Sequence, residues 1–145
     1  MNPYPGIAAD RPMVGLDTVE ILRKLRHKEG LESVVLNAPG PIEEELERAG
    51  FSTEMGPEKP QFTLLFVRGR AEVEEHFEPT AKAIKYDSLL WLAYPKGGSS
   101  IKTDINRDKL WELLKPPGYR PVAQVSIDRD WSAIRFRPTE KVKTR

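Results

Sequence analysis

The stretch that decides the fold is 88–111, which reads SLLWLAYPKGGSSIKTDINRDKLW. Its first eight residues are nearly all apolar, as is typical of a strand that is covered on both faces. A loop rich in glycine and serine follows at 96–102, and Asn106 is well placed to cap a helix. A buried strand, a polar loop and a helix start are the parts of a layered α/β protein.

The same alternation fills the chain before this stretch. Apolar residues at helical spacing, bounded by cap residues and glycines, predict three helices, over 16–30, 41–50 and 71–87. Pro79 lies inside the third and is expected to kink or split it. Short apolar and β-branched runs predict three strands, over 33–36, 51–55 and 62–69. Strands that alternate with helices usually pair in parallel, with helices on both faces of the sheet.

The end of the chain follows a different pattern. The runs YRPVAQVSID (119–128) and WSAIRFRP (131–138) alternate in polarity, and a short polar turn lies between them. That pattern predicts an antiparallel β-hairpin at one edge of the sheet. The expected fold is a three-layer Rossmann-like α/β sandwich, mainly parallel, with this hairpin. We expect one domain over 13–138, a flexible arm over 1–12 and a polar tail over 139–145.

Composition excludes several classes of function. The chain has 145 residues, a net charge of +1 and no cysteine. Disulfides, thiolate metal sites and cysteine nucleophiles are therefore excluded. The balanced charge gives no reason to expect nucleic acid or a membrane surface as a partner. No apolar run approaches the ~20 residues of a membrane helix, and the N-terminus lacks a signal-peptide pattern. We expect a cytoplasmic protein.

Two basic features have open interpretations. His27 and His76 are lone histidines, and each is expected to be a solvated residue on a helix surface. Lys24, Arg26, His27 and Lys28 crowd the end of the first helix. This basic run either complements the helix dipole, which is the plainer account, or forms a binding patch.

A ligand site, if the protein has one, is expected outside the C-terminal ends of the parallel strands. Donors, hydroxyls and positive charge in the loop after the fourth predicted strand favour a phosphate or carboxylate there. The candidate ligand-binding residues at these strand ends are Asn37, Glu54, Tyr94, Lys96, Gly97, Gly98, Ser99, Ser100 and Lys102. Arg68 and Arg70, at another strand end, either help to hold an anion or are simply surface charge. The alternative is a flexible connection with solvated lysines, because the Walker A residue order is absent.

No catalytic residue is predicted. Asp104 is either a cap near the start of the following helix or a general base close to Lys96, but the sequence specifies no partner for it. Nucleophile motifs such as G-x-S-x-G are missing. Trp91 and Trp111 are expected to lie in or near the core. Trp131 and Arg135 are expected to pack and pair along the hairpin, and the alternative is that they form a binding surface.

Three segments carry a resemblance to known families. SVVLNAPG, LLWLAYPKGGSSIKTDINRDKLWELL and RPVAQVSIDRDWSAIRFRP resemble a family of small bacterial proteins of unknown function, over about 30–138. The succession of elements also looks like an abridged class I S-adenosylmethionine-dependent methyltransferase sandwich. That resemblance implies a Rossmann-like fold and S-adenosylmethionine as the cofactor.

The methyltransferase pattern is incomplete in two places. Those enzymes carry a glycine-rich turn after the first strand, whereas this chain has Asn37-Ala38-Pro39-Gly40-Pro41, with two prolines that donate no N–H. Glu54 stands where an acidic residue would hold the cofactor's ribose. We therefore favour a non-catalytic Rossmann-like module for a small anionic ligand. The alternatives are an S-adenosylmethionine-dependent methyltransferase and a protein interaction module that forms a homodimer through the edge hairpin.

Overall fold

The computed structural model describes residues 18–142, and these contain four α-helices and five β-strands. The elements follow one another as α1 (Thr18–Lys24), β1 (Ser33–Leu36), α2 (Gly40–Arg48), β2 (Phe62–Phe66), α3 (Arg70–Ala83), β3 (Leu89–Pro95), α4 (Arg107–Leu114), β4 (Tyr119–Ser126) and β5 (Trp131–Pro138). The predicted arm over 1–12 lies outside this range, as do 143–145. The predicted tail starts with a 3-10 helix, Thr139–Lys141.

The five strands form one sheet in the order β1-β2-β3-β5-β4. β1 pairs with β2 and β2 with β3 in parallel, whereas β5 is antiparallel to both β3 and β4. β5 therefore returns beside β3, and β4 forms the outer edge of the sheet. The expected α/β sandwich with a C-terminal antiparallel hairpin at one edge is confirmed.

Helices cover the two faces of the sheet separately. On one face, Leu22 of α1 and Leu46 of α2 pack with Phe66 and Trp131. On the other face, Phe77 of α3 and Leu114 of α4 pack with their own set of buried strand residues. Every residue of β2 is buried, because the strand is central and covered on both sides. Trp91 and Trp131 are buried and Trp111 packs against the second core, as predicted.

Two predicted elements need correction. The strand expected over 51–55 is reduced to a single bridge between Ser52 and Val34, and the chain then turns through a segment rich in glycine and proline. Pro79 does not split the predicted third helix, because α3 continues through it to Ala83. Among residues 18–142, no helix is long and apolar enough to cross a membrane.

The expectation that His27 is solvated is wrong. The imidazole is only 9% exposed and lies between the rings of Phe51 and Phe62, with both centroids at 4.8 Å. Its Nε2 lies 2.7 Å from the hydroxyl of Ser33, which itself donates to the carbonyl of Leu31. Burial lowers the pKa of His27 to about 4, so the ring is neutral at pH 7. His76 is half-buried on α3.

Candidate functional site

The ends of β1 and β2 are joined by a network of polar side chains. Asn37 adopts the left-handed conformation (φ 62°), which asparagine tolerates better than most residues. Its amide donates to the carbonyl of Phe66 and to Glu72 Oε1, both at 2.9 Å. Arg68 Nη1 donates to the carbonyl of Asn37 at 2.9 Å. This network fills the space between the two strand ends.

Arg68 is held by a second set of contacts. Its guanidinium lies 5.5 Å from the centroid of the Trp131 ring, within the range of a cation–π contact. Trp131 in turn packs edge-on against Phe66, at 4.9 Å between centroids. The backbone N–H of Arg68 donates to Glu72 Oε1 at 2.9 Å. These contacts hold Arg68 in place two residues before α3 begins at Arg70.

Asp104 caps α3 across the loop that follows β3. Its Oδ1 accepts the backbone N–H of Arg70 at 2.8 Å. A Cβ on Gly69 would lie 2.8 Å from the same oxygen, so glycine makes room for the carboxylate. The N-terminus of α3 thus already holds an oxyanion, which complements the helix dipole.

An open cavity of about 450 Å³ lies over this cap. It contains three cationic side chains and two carboxylates, and its lining consists of Arg68, Gly69, Arg70, Ala71, Glu72, Lys102, Thr103 and Asp104. Glu72 pairs with Arg68 at 3.4 Å and Glu74 pairs with Arg70 at 3.0 Å. Lys102 is exposed. The cavity therefore offers a capped helix start with two arginines held in ion pairs and an exposed lysine beside it.

Residues 96–100 of the glycine–serine loop do not line this cavity. Lys96 Nζ donates to Ser126 Oγ at 2.5 Å, and its backbone N–H donates to the carbonyl of Asp130. Ser99 Oγ accepts the N–H of Ile101 at 3.2 Å. Gly97, Gly98 and Ser100 are exposed. Lys96 is thus tied to the terminal hairpin rather than to the cavity.

Tyr94 and Glu54 also lie away from the cavity. Tyr94 is 5% exposed, its hydroxyl accepts from Gln124 Nε2 at 3.0 Å, and burial raises the pKa of the phenol. Glu54 lines a different cavity, of about 230 Å³, together with Glu32 and Pro60. That cavity borders the first half of β1, whereas Asn37 follows the end of the strand.

The structure therefore brings together only part of the predicted set. Lys102 lines the cavity, and Asn37 reaches it through Glu72. Arg68 and Arg70 line it as well. The sequence analysis missed Glu72. Its position in the first turn of a helix, directly after two arginines, could have indicated that it pairs with one of them. Asp104 is a cap, but on α3 rather than on the helix that follows it; Asn106 caps that helix, with Oδ1 accepting from Lys109 N at 2.9 Å.

Comparison with known proteins supports the fold alone. No protein-family model and no curated protein matches the sequence. The structure is similar to the crystal structure of TnmH, with a TM-score of 0.50 and 16% identity, covering 88% of this chain and 47% of that one. It is also similar to a chain of the fibrillarin/Nop5p complex, with a TM-score of 0.44, 14% identity and coverage of 83% and 79%. The second likeness is too weak to carry an argument.

The likeness to TnmH supports the Rossmann-like α/β sandwich fold. This chain spans about half the length of TnmH. The predicted membership of a small bacterial family stays a prediction.

S-adenosylmethionine does not fit the residues at the usual place for it, after β1. Pro39 and Pro41 donate no backbone N–H at the start of α2, and no side chain caps that helix. The Asn37 amide and Glu72 occupy the space toward β2. Glu54 faces the other cavity. These side chains would have to move before the cofactor bound there.

Proposed function

We propose that this protein binds a small ligand bearing a phosphate or carboxylate at the N-terminus of α3. The observation that carries the proposal is the Asp104 carboxylate, 2.8 Å from the N–H of Arg70. The carboxylate of Asp104 marks a position where an oxyanion accepts this N–H, and a ligand oxyanion would take the same donor. Asp104 then acts as a built-in competitor.

Charge around the cavity supports this proposal. Arg68, Arg70 and Lys102 line it, against two carboxylates, Glu72 and Asp104. Once Asp104 has been displaced, the N–H of Arg70 is available to the ligand and Lys102 lies beside it. The exchange needs no movement of the sheet, because Asp104 is exposed and lies in a loop.

Isothermal titration of the full chain with inorganic phosphate tests the proposal. Asp104→Ala should bind phosphate more tightly than the wild type, because the competing carboxylate is gone. Lys102→Gln should bind it about fivefold more weakly, the effect of about 1 kcal/mol for an exposed charge. Lys109→Gln, which removes the same charge from the surface of α4, is the matched control. Equal affinities in all four proteins would reject this site.

The methyltransferase-like fold favours a second candidate, an S-adenosylmethionine-dependent transferase. The comparison gives this candidate more support than it gives the expectation of a non-catalytic module. The support lies in the fold, while the residues after β1 fit the cofactor poorly. A binding experiment therefore has to decide between them.

Thermal unfolding with S-adenosylhomocysteine, ATP and phosphate separates the two candidates. A rise in Tm with S-adenosylhomocysteine, at concentrations where ATP has no effect, would favour the transferase. A rise with phosphate that Lys102→Gln weakens, with no response to S-adenosylhomocysteine, would favour the anion-binding module.

A homodimer through the terminal hairpin stays a third proposal. β4 is the outer strand of the sheet, and Val122 on it is 37% exposed. Pro121 and the irregular register beside it are features that discourage edge pairing. Sedimentation of the wild type and of Val122→Lys tests it: a dimer that the lysine abolishes would support pairing through β4, and a monomer would reject it.

A further inference from the structure

Arg135 is a half-buried arginine without a visible partner. Its Nε is shielded from solvent and has no hydrogen-bond acceptor among residues 18–142. Removing a guanidinium donor from water without giving it an acceptor is costly. Proteins usually pair such a group with a carboxylate or another anion. No side chain in the described part of the chain does so for Arg135.

The strand register places Arg135 far from the cavity at the start of α3. It lies opposite Trp91 on β3 and Ala123 on β4. β3 ends at Pro95, directly before the glycine–serine loop, and Pro95 pairs with Trp131. Four residues of strand, about 13 Å, separate the two positions. Arg135 therefore belongs to a different region of the surface.

Other arginines surround this position. Arg137 lies two residues farther along β5, on the same face, and forms a two-bond pair with Asp87 at 2.9 and 2.8 Å. Asp87 is thereby already engaged. Trp91 Nε1 donates to the carbonyl of Leu25 at 3.0 Å, which brings the end of α1 onto the strand beside Arg135. The next residue, Arg26, is exposed.

Burial and the neighbouring charges both affect the pKa of Arg135. Burial lowers the pKa of its guanidinium, Arg137 and Arg26 lower it further, and Asp87 opposes them. The positive charge is therefore poorly compensated where it stands. Arg26 belongs to the basic run that was left open between helix-dipole complementation and a binding patch, and its charge acts on this arginine.

We propose that Arg135 and Arg26 form a second oxyanion site, for the phosphate or carboxylate group of a small ligand, about 13 Å along β5 from the end of the sheet where α3 begins. The planar guanidinium of Arg135 offers paired donors that match either group. Arg26, at the end of α1, supplies the second charge from solvent. Arg137 keeps its pair with Asp87 and adds to the positive field.

The proposal also predicts how Arg135 affects the stability of the ligand-free protein. Replacing Arg135 by methionine keeps an apolar chain of similar length and removes the charge. If Arg135 awaits an anion, Arg135→Met should have a higher Tm than the wild type when no anion is present, because a poorly compensated charge has been removed. If Arg135 serves only packing or pairing within the fold, the same change should lower Tm.

Titration of the full chain, labelled with ¹⁵N in arginine, tests the site directly. Inorganic phosphate and acetate, each at the ionic strength of a sodium chloride reference, are the probes. We expect at least one of them to shift the Arg135 Nε–H signal and to raise Tm. The rise in Tm should be smaller in Arg135→Met, where only the site at α3 is left to bind the probe. The Arg135 shift should show about fivefold weaker affinity in Arg26→Gln, an exposed position. Phosphate or acetate acting alone identifies the group.

Controls separate this site from the one at α3. Lys102→Gln should leave the Arg135 signal responsive, and Arg129→Gln, an exposed arginine in the turn of the hairpin, should do the same. The proposal is overturned if neither probe moves the Arg135 signal at millimolar concentration, or if Arg135→Met responds as the wild type does. Loss of the response in Lys102→Gln would also overturn it, and would favour the site at α3 instead.

Discussion

The Oδ1 of Asp104 accepts the backbone N–H of Arg70 at 2.8 Å, although 34 residues separate them. The cap of α3 therefore comes from the loop after β3 and not from the residue that precedes the helix, which is Gly69. Two segments that leave neighbouring strands are joined by this one bond.

Asp104→Ala should destabilise the protein by about 1 kcal/mol, because the cap is lost. Asp104→Asn keeps an oxygen acceptor and should cost less than half of that. The free energy of unfolding in urea measures both, with Ser100→Ala in the same loop as the control. Equal losses for alanine and asparagine would show that the charge and not the hydrogen bond matters.

Gly69→Ala should cost about as much as removing the cap. The backbone at Gly69 is extended (φ −173°), so alanine brings no backbone strain. Its Cβ would displace Asp104 Oδ1, which lies 2.8 Å away. Gly97, where a Cβ meets nothing within 4 Å, is the matched control.

A double mutant tests whether Gly69→Ala destabilises the protein by displacing Asp104. With Asp104→Ala already present, Gly69→Ala has nothing to displace and should no longer destabilise. Alanine restricts the unfolded chain, so the double mutant should gain up to about 1 kcal/mol over Asp104→Ala. If the two substitutions lower the free energy of unfolding additively in urea, the proposed contact between Gly69 and Asp104 is contradicted.

The fold was predictable from the sequence because its signals are local. The apolar runs of β2 and β3, the cap at Asn106 and the alternation in β5 each specify an element within a few residues. The strand expected over 51–55 failed because Ser52 has one short partner strand to pair with, and the turns after it leave no room for more pairing. Edge elements of this kind depend on neighbours that no local pattern reveals.

The candidate site was less predictable, because long-range bonds position it. Lys96 is adjacent in sequence to the glycine–serine loop, yet its ammonium binds Ser126, 30 residues later. Glu72 joins Asn37 across 35 residues. The sequence indicated the edge at which open α/β sheets usually bind ligands, but not which side chains turn toward it.

His27 should make stability fall as the medium becomes acidic. Burial lowers the pKa of His27 from 6.5 to about 4. Above pH 6.5 the ring is neutral in both states, and its contribution to stability is complete. As the pH falls from about 6.5 to about 4, the unfolded chain takes up a proton that the folded ring refuses. Over this pH range the free energy of unfolding falls by about 3 kcal/mol at most.

His27→Gln should remove most of that acid-dependent loss, although it lowers stability at neutral pH through poorer packing between Phe51 and Phe62. Urea unfolding at several values of pH between 4 and 8 measures the slope. His76→Gln, at the half-buried position on α3, is the control for replacing a histidine. An unchanged slope in His27→Gln would contradict the assignment.

The pair between Arg137 and Asp87 should act in the opposite part of the acid range. The hydrogen bonds and charge of Arg137 hold the pKa of the Asp87 carboxyl below its ordinary value of 3.8. An acid with a lowered pKa stabilises the fold at neutral pH, and this contribution is lost as the pH falls through the folded pKa. Both side chains are partly exposed, at 32% and 21%, so the coupling is expected to be about 1 kcal/mol.

Asp87→Asn isolates the charge, because asparagine tolerates the left-handed backbone (φ 57°) found at this position. A double-mutant cycle with Arg137→Gln, measured by urea unfolding at neutral pH, should give the coupling of about 1 kcal/mol. The coupling should shrink as the pH falls below about 4, where the carboxyl begins to protonate in the unfolded chain and then in the folded one. It should also fall in high salt, because partly exposed charges are screened. A coupling that is unaffected by both conditions would mean that the two side chains interact by packing and not by charge.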